Sequence, residues 1–206
     1  MVVETLQDAQ DDTREKLLAA AHRQFADRGF YGASIAQIAG EVGLTKQALL
    51  YHFKRKEDLY SSVLKAIAER LLAAMRAGVD PAKSAEQQFE DIILGIYTAA
   101  RANPLDSKVL MREILDDQRR DAPPEEWFFR TYLDEIIAAL DAVAGMAKLP
   151  RSIKLARIYL LISTIEYFSA SEQVLRRFYG DEEYAQISAD YPEELRAQIY
   201  HLLERR

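Results

Sequence analysis

The chain has no cysteine, so neither a disulfide framework nor a thiolate metal centre is available to it. Its 8 Gly and 6 Pro in 206 residues are few for a β-rich protein built on many tight turns. No stretch approaches the roughly 20 apolar residues needed to cross a membrane. The longest strongly apolar run, Ile158 to Ile165, has core length and is flanked by Arg157 and Glu166. The first twelve residues hold four acids and no base, the reverse of a secretory leader's basic start. His22, His52 and His201 lie far apart in sequence without ligand-spaced partners, so no metal is expected. There is no glycine-rich phosphate loop, and no Ser/His/Asp set is supported by spacing. A cytoplasmic protein without cofactor, metal or membrane partner is the expectation.

What is present is helical. About half of the chain is apolar (49%), ample for a sizeable core, and Ala, Leu, Glu, Arg and Gln dominate. No alternating strand pattern and no internal repeat is visible, so the fold class is all-α. The net charge of −6 is unevenly distributed. Residues 13–56 carry eight bases against three acids, whereas residues 57–206 carry nineteen against twenty-six. A short basic segment on a larger acidic body is the electrostatic pattern of a DNA-binding module.

Punctuation sets the organisation. Residues 1–12 read as a disordered acidic arm. Asp12-Thr13-Arg14-Glu15 has the form of a capping box, followed by Leu17, Leu18, Ala21 and Phe25 at helical spacing up to Gly29. Ser34 caps a short second helix with Ile35, Ile38, Ala39 and Val42 inward, ending at Gly43. Thr45 caps an equally short third helix carrying Ala48, Leu49 and Phe53. A connecting helix over 57–80 follows, with Leu59, Val63, Ile67 and Leu71 on one stripe. Residues 81–206 divide into helices near 84–102, 105–118, 125–146, 151–178 and 191–204.

Two short helices joined at a glycine meet the requirements of a helix-turn-helix. Gly43 can take the positive φ of the turn, Ala39 is small enough for a close crossing, and Ile38, Val42, Leu44 and Leu49 plug the angle. The second helix would enter the major groove by its N-terminal end, Thr45-Lys46-Gln47, whose side chains can donate hydrogen bonds. Lys54-Arg55-Lys56 then forms a cationic cluster placed to meet phosphate. An ordinary capped core pair with a solvated charged face is the competing reading; charge segregation, helix lengths and N-terminal position favour DNA.

The run Ser34-Ile-Ala-Gln-Ile-Ala-Gly-Glu-Val-Gly-Leu-Thr-Lys-Gln-Ala-Leu-Leu-Tyr-His-Phe-Lys-Arg-Lys-Glu-Asp-Leu59 resembles the DNA-binding domain of the TetR family. The preceding Phe25-Ala-Asp-Arg-Gly-Phe-Tyr-Gly-Ala-Ser34 is similar to that family's link between its first two helices. The resemblance covers about residues 13–65. It implies base and phosphate contacts from Thr45, Lys46 and Gln47, backbone contacts from Tyr51 and His52, and phosphate contacts from Lys56 and Ser34. Leu50 stands where a tyrosine is usual and Ala36 where an arginine is frequent, each removing a phosphate contact. The resemblance further implies a ligand-binding and dimerisation domain over 81–206, whose last two long helices form a four-helix bundle across a two-fold axis.

Within that domain Ile158–Ile165 is apolar on nearly every face, so its helix must be covered all round. The last helix carries Leu195, Ile199, Leu202 and Leu203 on one stripe. Tyr97, Met111, Arg112, Trp127, Tyr132, Glu166 and Tyr167 are the candidate ligand-binding residues. Glu166 stands out, because a carboxylate in an apolar run is costly unless paired, and Arg112 is its candidate partner, whether structurally or around a ligand. The expectation is a homodimeric, ligand-responsive regulator, a repressor released from a palindromic DNA operator by a small molecule of apolar or aromatic character. An all-α enzyme acting on an apolar substrate, or a helical interaction module, would leave the basic segment unexplained.

Overall fold

The computed structural model describes residues 2–115 and 128–204. Among them every regular element is helical: α1 (Val2–Gly32), α2 (Ile35–Glu41), α3 (Lys46–His52), α4 (Lys56–Ala77), α5 (Ala85–Ala102), α6 (Pro104–Leu115), α7 (Phe128–Asp141), α8 (Arg151–Ala170) and α9 (Glu172–Glu204), with a short 3-10 turn at Met146–Lys148. The chain forms two compact units. Of the described residues, the first holds 2–67 together with α6 from Lys108 onward; the second holds 68–107 and 128–204. Both α4 and α6 therefore start in one unit and finish in the other, so the connecting helix is no separate piece.

The first unit is built on α1. Leu17, Ala20, Ala21 and Phe25 are wholly buried, as the spacing predicts. Gly29, at φ 69°, ends the regular part of the helix where expected. At the other end α1 runs back to Val2, through the acidic arm expected to be disordered. Nothing in Val2–Gln10 breaks a helix, and Asp12, read as a cap, instead accepts from Lys16 one turn on at 2.6 Å. Phe25 and Phe30 meet Tyr60 of α4 edge-on, with centroids 4.7 and 5.2 Å away. Tyr60 donates to Glu113 of α6 at 2.7 Å. Arg112 donates to the carbonyls of Ala26 and Asp27 at 2.8 and 2.6 Å, satisfying groups that the end of α1 at Gly29 leaves without helical partners.

In the second unit α5 packs against α7, α8 and α9. Ser84 and Gln87 close a reciprocal capping box at the start of α5, and Phe89, Ile92, Ile93 and Ile96 face inward. A Cβ at Gly95 would stand 2.9 Å from the Ala74 carbonyl oxygen, so the glycine permits the approach of α5 to α4. Arg70 of α4 grips Asp106 of α6 through two bonds of 2.7 and 2.8 Å. Tyr97, Tyr191, Phe168 and Tyr184 stack in sequence across α5, α9 and α8, with Arg101 over Phe168 and Tyr184.

The C-terminal helices differ from expectation. The helix expected over 151–178 ends at Ala170, and α9 begins at once. Gly180, at φ 85°, interrupts α9, but the stretch from Asp181 to Pro192, expected as a break, is helical. Proline inside a helix forfeits one backbone bond and bends the chain. Tertiary packing holds it here: Tyr191 lies flat on Phe168, centroids 3.9 Å apart, and donates to the Thr164 carbonyl at 2.8 Å.

Candidate functional site

The turn between α2 and α3 closes as the side-chain sizes suggest. Gly43 takes φ +73°, its N–H donates to the Gly40 carbonyl at 3.1 Å, and that of Leu44 donates to Ala39 at 2.9 Å. This is the paired C-terminal capping of a Schellman motif. Ile38, Ala39 and Leu49 are wholly buried at the crossing, while Val42 and Leu44 are half-buried. Thr45 starts α3 and its hydroxyl accepts the Ala48 N–H at 3.2 Å. With the helix capped and its inner face buried, Thr45, Lys46 and Gln47 lie exposed together at its N-terminal end, the end from which a short helix can address base edges. Tyr51 is 76% exposed and packs edge-on against His52. Ser34 holds the N-cap position of α2 without a side-chain capping bond.

The cationic cluster is only partly available as expected. Lys54 is exposed. Arg55 is taken up by Asp58 at 2.9 Å. The Lys56 ammonium sits 4.7 Å over the Phe30 ring, and burial there holds it below the usual lysine range. Other bases of the segment brace the unit: Arg14 lies over Phe53, Arg28 donates to Gln37 at 2.9 Å, and Arg23 pairs with Glu41. Lys46, at the reading end of α3, and Lys54, just past its other end, lie exposed.

The candidate ligand residues scatter. Arg112 does not pair with Glu166, because its guanidinium serves the end of α1. Met111, its neighbour, is half-buried in the first unit. Trp127 lies outside the described residues. Tyr167 is 66% exposed on α8, and Tyr97 is taken into the aromatic stack. Tyr132 and Glu166 do come together. Tyr132 is wholly buried on α7, and burial, helped by the Glu166 charge, pushes its phenol well above its ordinary value. Burial raises the Glu166 carboxyl to about 7; Ser107 beside it opposes the rise and Asp106 adds to it. Both Glu166 oxygens, the Tyr132 hydroxyl and the hydroxyls of Ser107 and Ser169 meet no hydrogen-bond partner in good geometry among the described residues. Ser107 and Ser169 were not expected here, and a lone serine in a helix gives no signal of what it faces.

The helix expected to be covered all round is bare along one side. Ile153, Tyr159, Leu160 and Tyr167 of α8 are 42%, 48%, 68% and 66% exposed. Ile153, Leu160 and Tyr167 recur every seven residues, the period of a helix-packing seam. Among the described residues no helix is long and apolar enough to cross a membrane, and no group of His, Asp and Glu could hold a metal.

Residues 17–63 match the family model for bacterial regulatory proteins of the tetR family. The HTH-type transcriptional activator FasR of Mycolicibacterium smegmatis is 38% identical over 66 residues, 32% of this chain and 30% of that protein. The HTH-type transcriptional repressor KstR2 of the same organism is 29% identical over 86 residues, 42% of each chain. The chain thus spans less than half the length of these curated relatives. Solved structures extend the likeness in fold to nearly the whole chain. A TetR-like transcriptional regulator from Rhodococcus sp. RHA1 superposes with a TM-score of 0.69 at 18% identity, over 94% of this chain and 97% of that one. A TetR variant from Acinetobacter baumannii AYE in complex with minocycline does so at 0.60 and 17%, over 92% and 96%.

Proposed function

We propose that the protein is a dimeric, ligand-responsive transcription regulator of the TetR type, a reading supported by the match of residues 17–63 to the family model. It acts as a repressor, released from a near-palindromic operator by a small molecule. The observation that carries this is the exposed Thr45-Lys46-Gln47 end of α3, presented by a capped turn and a buried crossing. Lys46 and Gln47 read base edges, and Ser34, Thr45, Tyr51, His52 and Lys56 hold the backbone. One helix this short reads too few base pairs alone, so a second copy is required. The bare seam of α8 supplies the surface: Leu160 and Tyr167 pack against their equivalents in that copy, with α9 alongside.

Coupling runs through the two helices that the units share. Arg70 ties α4 to α6 in the second unit, and Tyr60 ties them again through Glu113 in the first. A ligand that favours one arrangement of this doubly bonded pair changes the separation of the two reading ends, and with it the fit to successive major grooves. Selection of bound DNA from random oligonucleotides tests the reading. A palindrome with half-sites about one helical turn apart is expected, and failure to enrich any sequence over several rounds rejects it.

A further inference from the structure

Building on the regulator reading, we propose that Glu166, Ser107, Tyr132 and Ser169 form the polar end of the small-molecule site, and that its ligand carries a protonated amine on an apolar body. Ser107, Tyr132 and Ser169 are wholly buried and Glu166 is 7% exposed. They come from three helices, α6, α7 and α8, and none of their polar side-chain atoms meets a hydrogen-bond partner in good geometry among the described residues. Native interiors satisfy nearly all such atoms, and one half-satisfied cluster is less stable than an apolar core. A fold that keeps five unsatisfied oxygens on four neighbouring side chains is built around something that completes them.

The donor arithmetic selects the guest. Ionised Glu166 can only accept, and each hydroxyl can accept as well as donate. An ammonium brings three donors together with the positive charge that Glu166 lacks. Three bases of this unit are engaged by other groups: Arg70 is held by Asp106, Lys154 by Asp141, and Arg101 by Glu172 and Ser188. The ionisable groups acting on Glu166 from α6 and α7 are Asp106 and Tyr132, neither of them cationic. On α9, Glu172 and Arg176 bind each other. Asp106 also adds negative charge, which disfavours a carboxylate or phosphate ligand. The apolar body follows from the neighbouring turns, which carry buried Ile162 on α8 and Ile136 on α7.

Protonation gives the proposal its signature. With its carboxyl at about 7, empty-site Glu166 is roughly half protonated at neutral pH, and an arriving ammonium expels that proton. Amine affinity should therefore fall about fivefold from pH 7 to pH 6 and level off above pH 8. A ligand that instead accepts a hydrogen bond from protonated Glu166 would show the opposite trend.

The test is calorimetric titration of the full chain with phenylethylamine, phenylethanol and phenylpropanoate at pH 6, 7 and 8, in buffers of different ionisation enthalpy. The expected result is amine binding at least about tenfold tighter than either partner, with about half a proton released at pH 7. Glu166→Gln should lose both the preference and the proton release. Should that variant misfold, the wild-type pH profile decides alone. Equal binding of the alcohol, a stronger response at pH 6 than at pH 8, or no response to about 10 mM amine overturns the proposal. DNA binding is measured on the same sample. Operator binding with indifference to the amine rejects the amine site alone. Amine binding of the expected kind without any DNA binding supports the site and rejects the regulator reading.

Discussion

Gly43 has open space where a Cβ would stand, with nothing within 4 Å, so only its φ of +73° forbids a side chain. Gly43→Ala should therefore cost about 1–2 kcal/mol, with Gly43→Asn costing less because asparagine tolerates the left-handed region; urea unfolding measures both. Glu166 gives the opposite sign. Its folded carboxyl titrates at about 7 against 4.5 in its unperturbed state, so the folded protein holds the proton more tightly. The charge penalty is absent below pH 4.5, grows as pH rises, and is complete above about pH 7. Glu166→Gln should then stabilise the ligand-free protein at pH 8 by up to about 3 kcal/mol, and the gain should vanish near pH 4.5. A loss of melting temperature at pH 8 would mean that Glu166 has a partner after all. The anomaly of a carboxylate in an apolar run is legible in the sequence. Its partner is not, because spacing cannot say that α6 changes unit before Arg112.

At the scale of elements, α2, α3 and α4 follow their local signals closely. Gly43 and Thr45 act through their immediate neighbours, and capping chemistry is local. The far end of the chain obeys longer-range forces. Pro192 reads as a break, yet stacking by Tyr191 carries α9 across it, whereas Gly180 breaks the helix unaided. The outer stripe of α8 is likewise ambiguous in sequence, since an apolar helix does not reveal whether its own chain or another covers it. If a second copy covers it, Leu160→Glu should yield a folded monomer with unchanged helicity. Its operator affinity should drop at least about a hundredfold, since both half-sites are no longer engaged together. Sedimentation and circular dichroism check this; a dimer that persists at micromolar concentration would place the interface elsewhere.

For the whole molecule, the balance of −6 conceals a basic segment over residues 13–56, and binding should weaken steeply with salt. If Lys56 meets phosphate from its seat on Phe30, Lys56→Ala should weaken all sequences alike. It should also flatten the logarithmic salt slope by about 0.9 per contact, about twice that in a dimer. Lys46→Ala should additionally alter base preference. Arg55→Ala should barely change the slope, because Asp58 already neutralises Arg55. Titrations at several salt concentrations distinguish the three. Charge segregation is visible in the sequence, but not which cations are already engaged.

The Arg112 clamp and the Tyr60–Glu113 bond also bear on how this architecture can be recombined. The reading head is written in two separate passages of the chain, residues 2–67 and the stretch from Lys108. A chimera spliced at one junction after α4 would receive the base-reading helix but leave behind the guanidinium that closes the end of α1. Exchange of heads between such proteins therefore requires two crossovers, or a recipient whose own α6 already carries an arginine and a glutamate in these two consecutive positions.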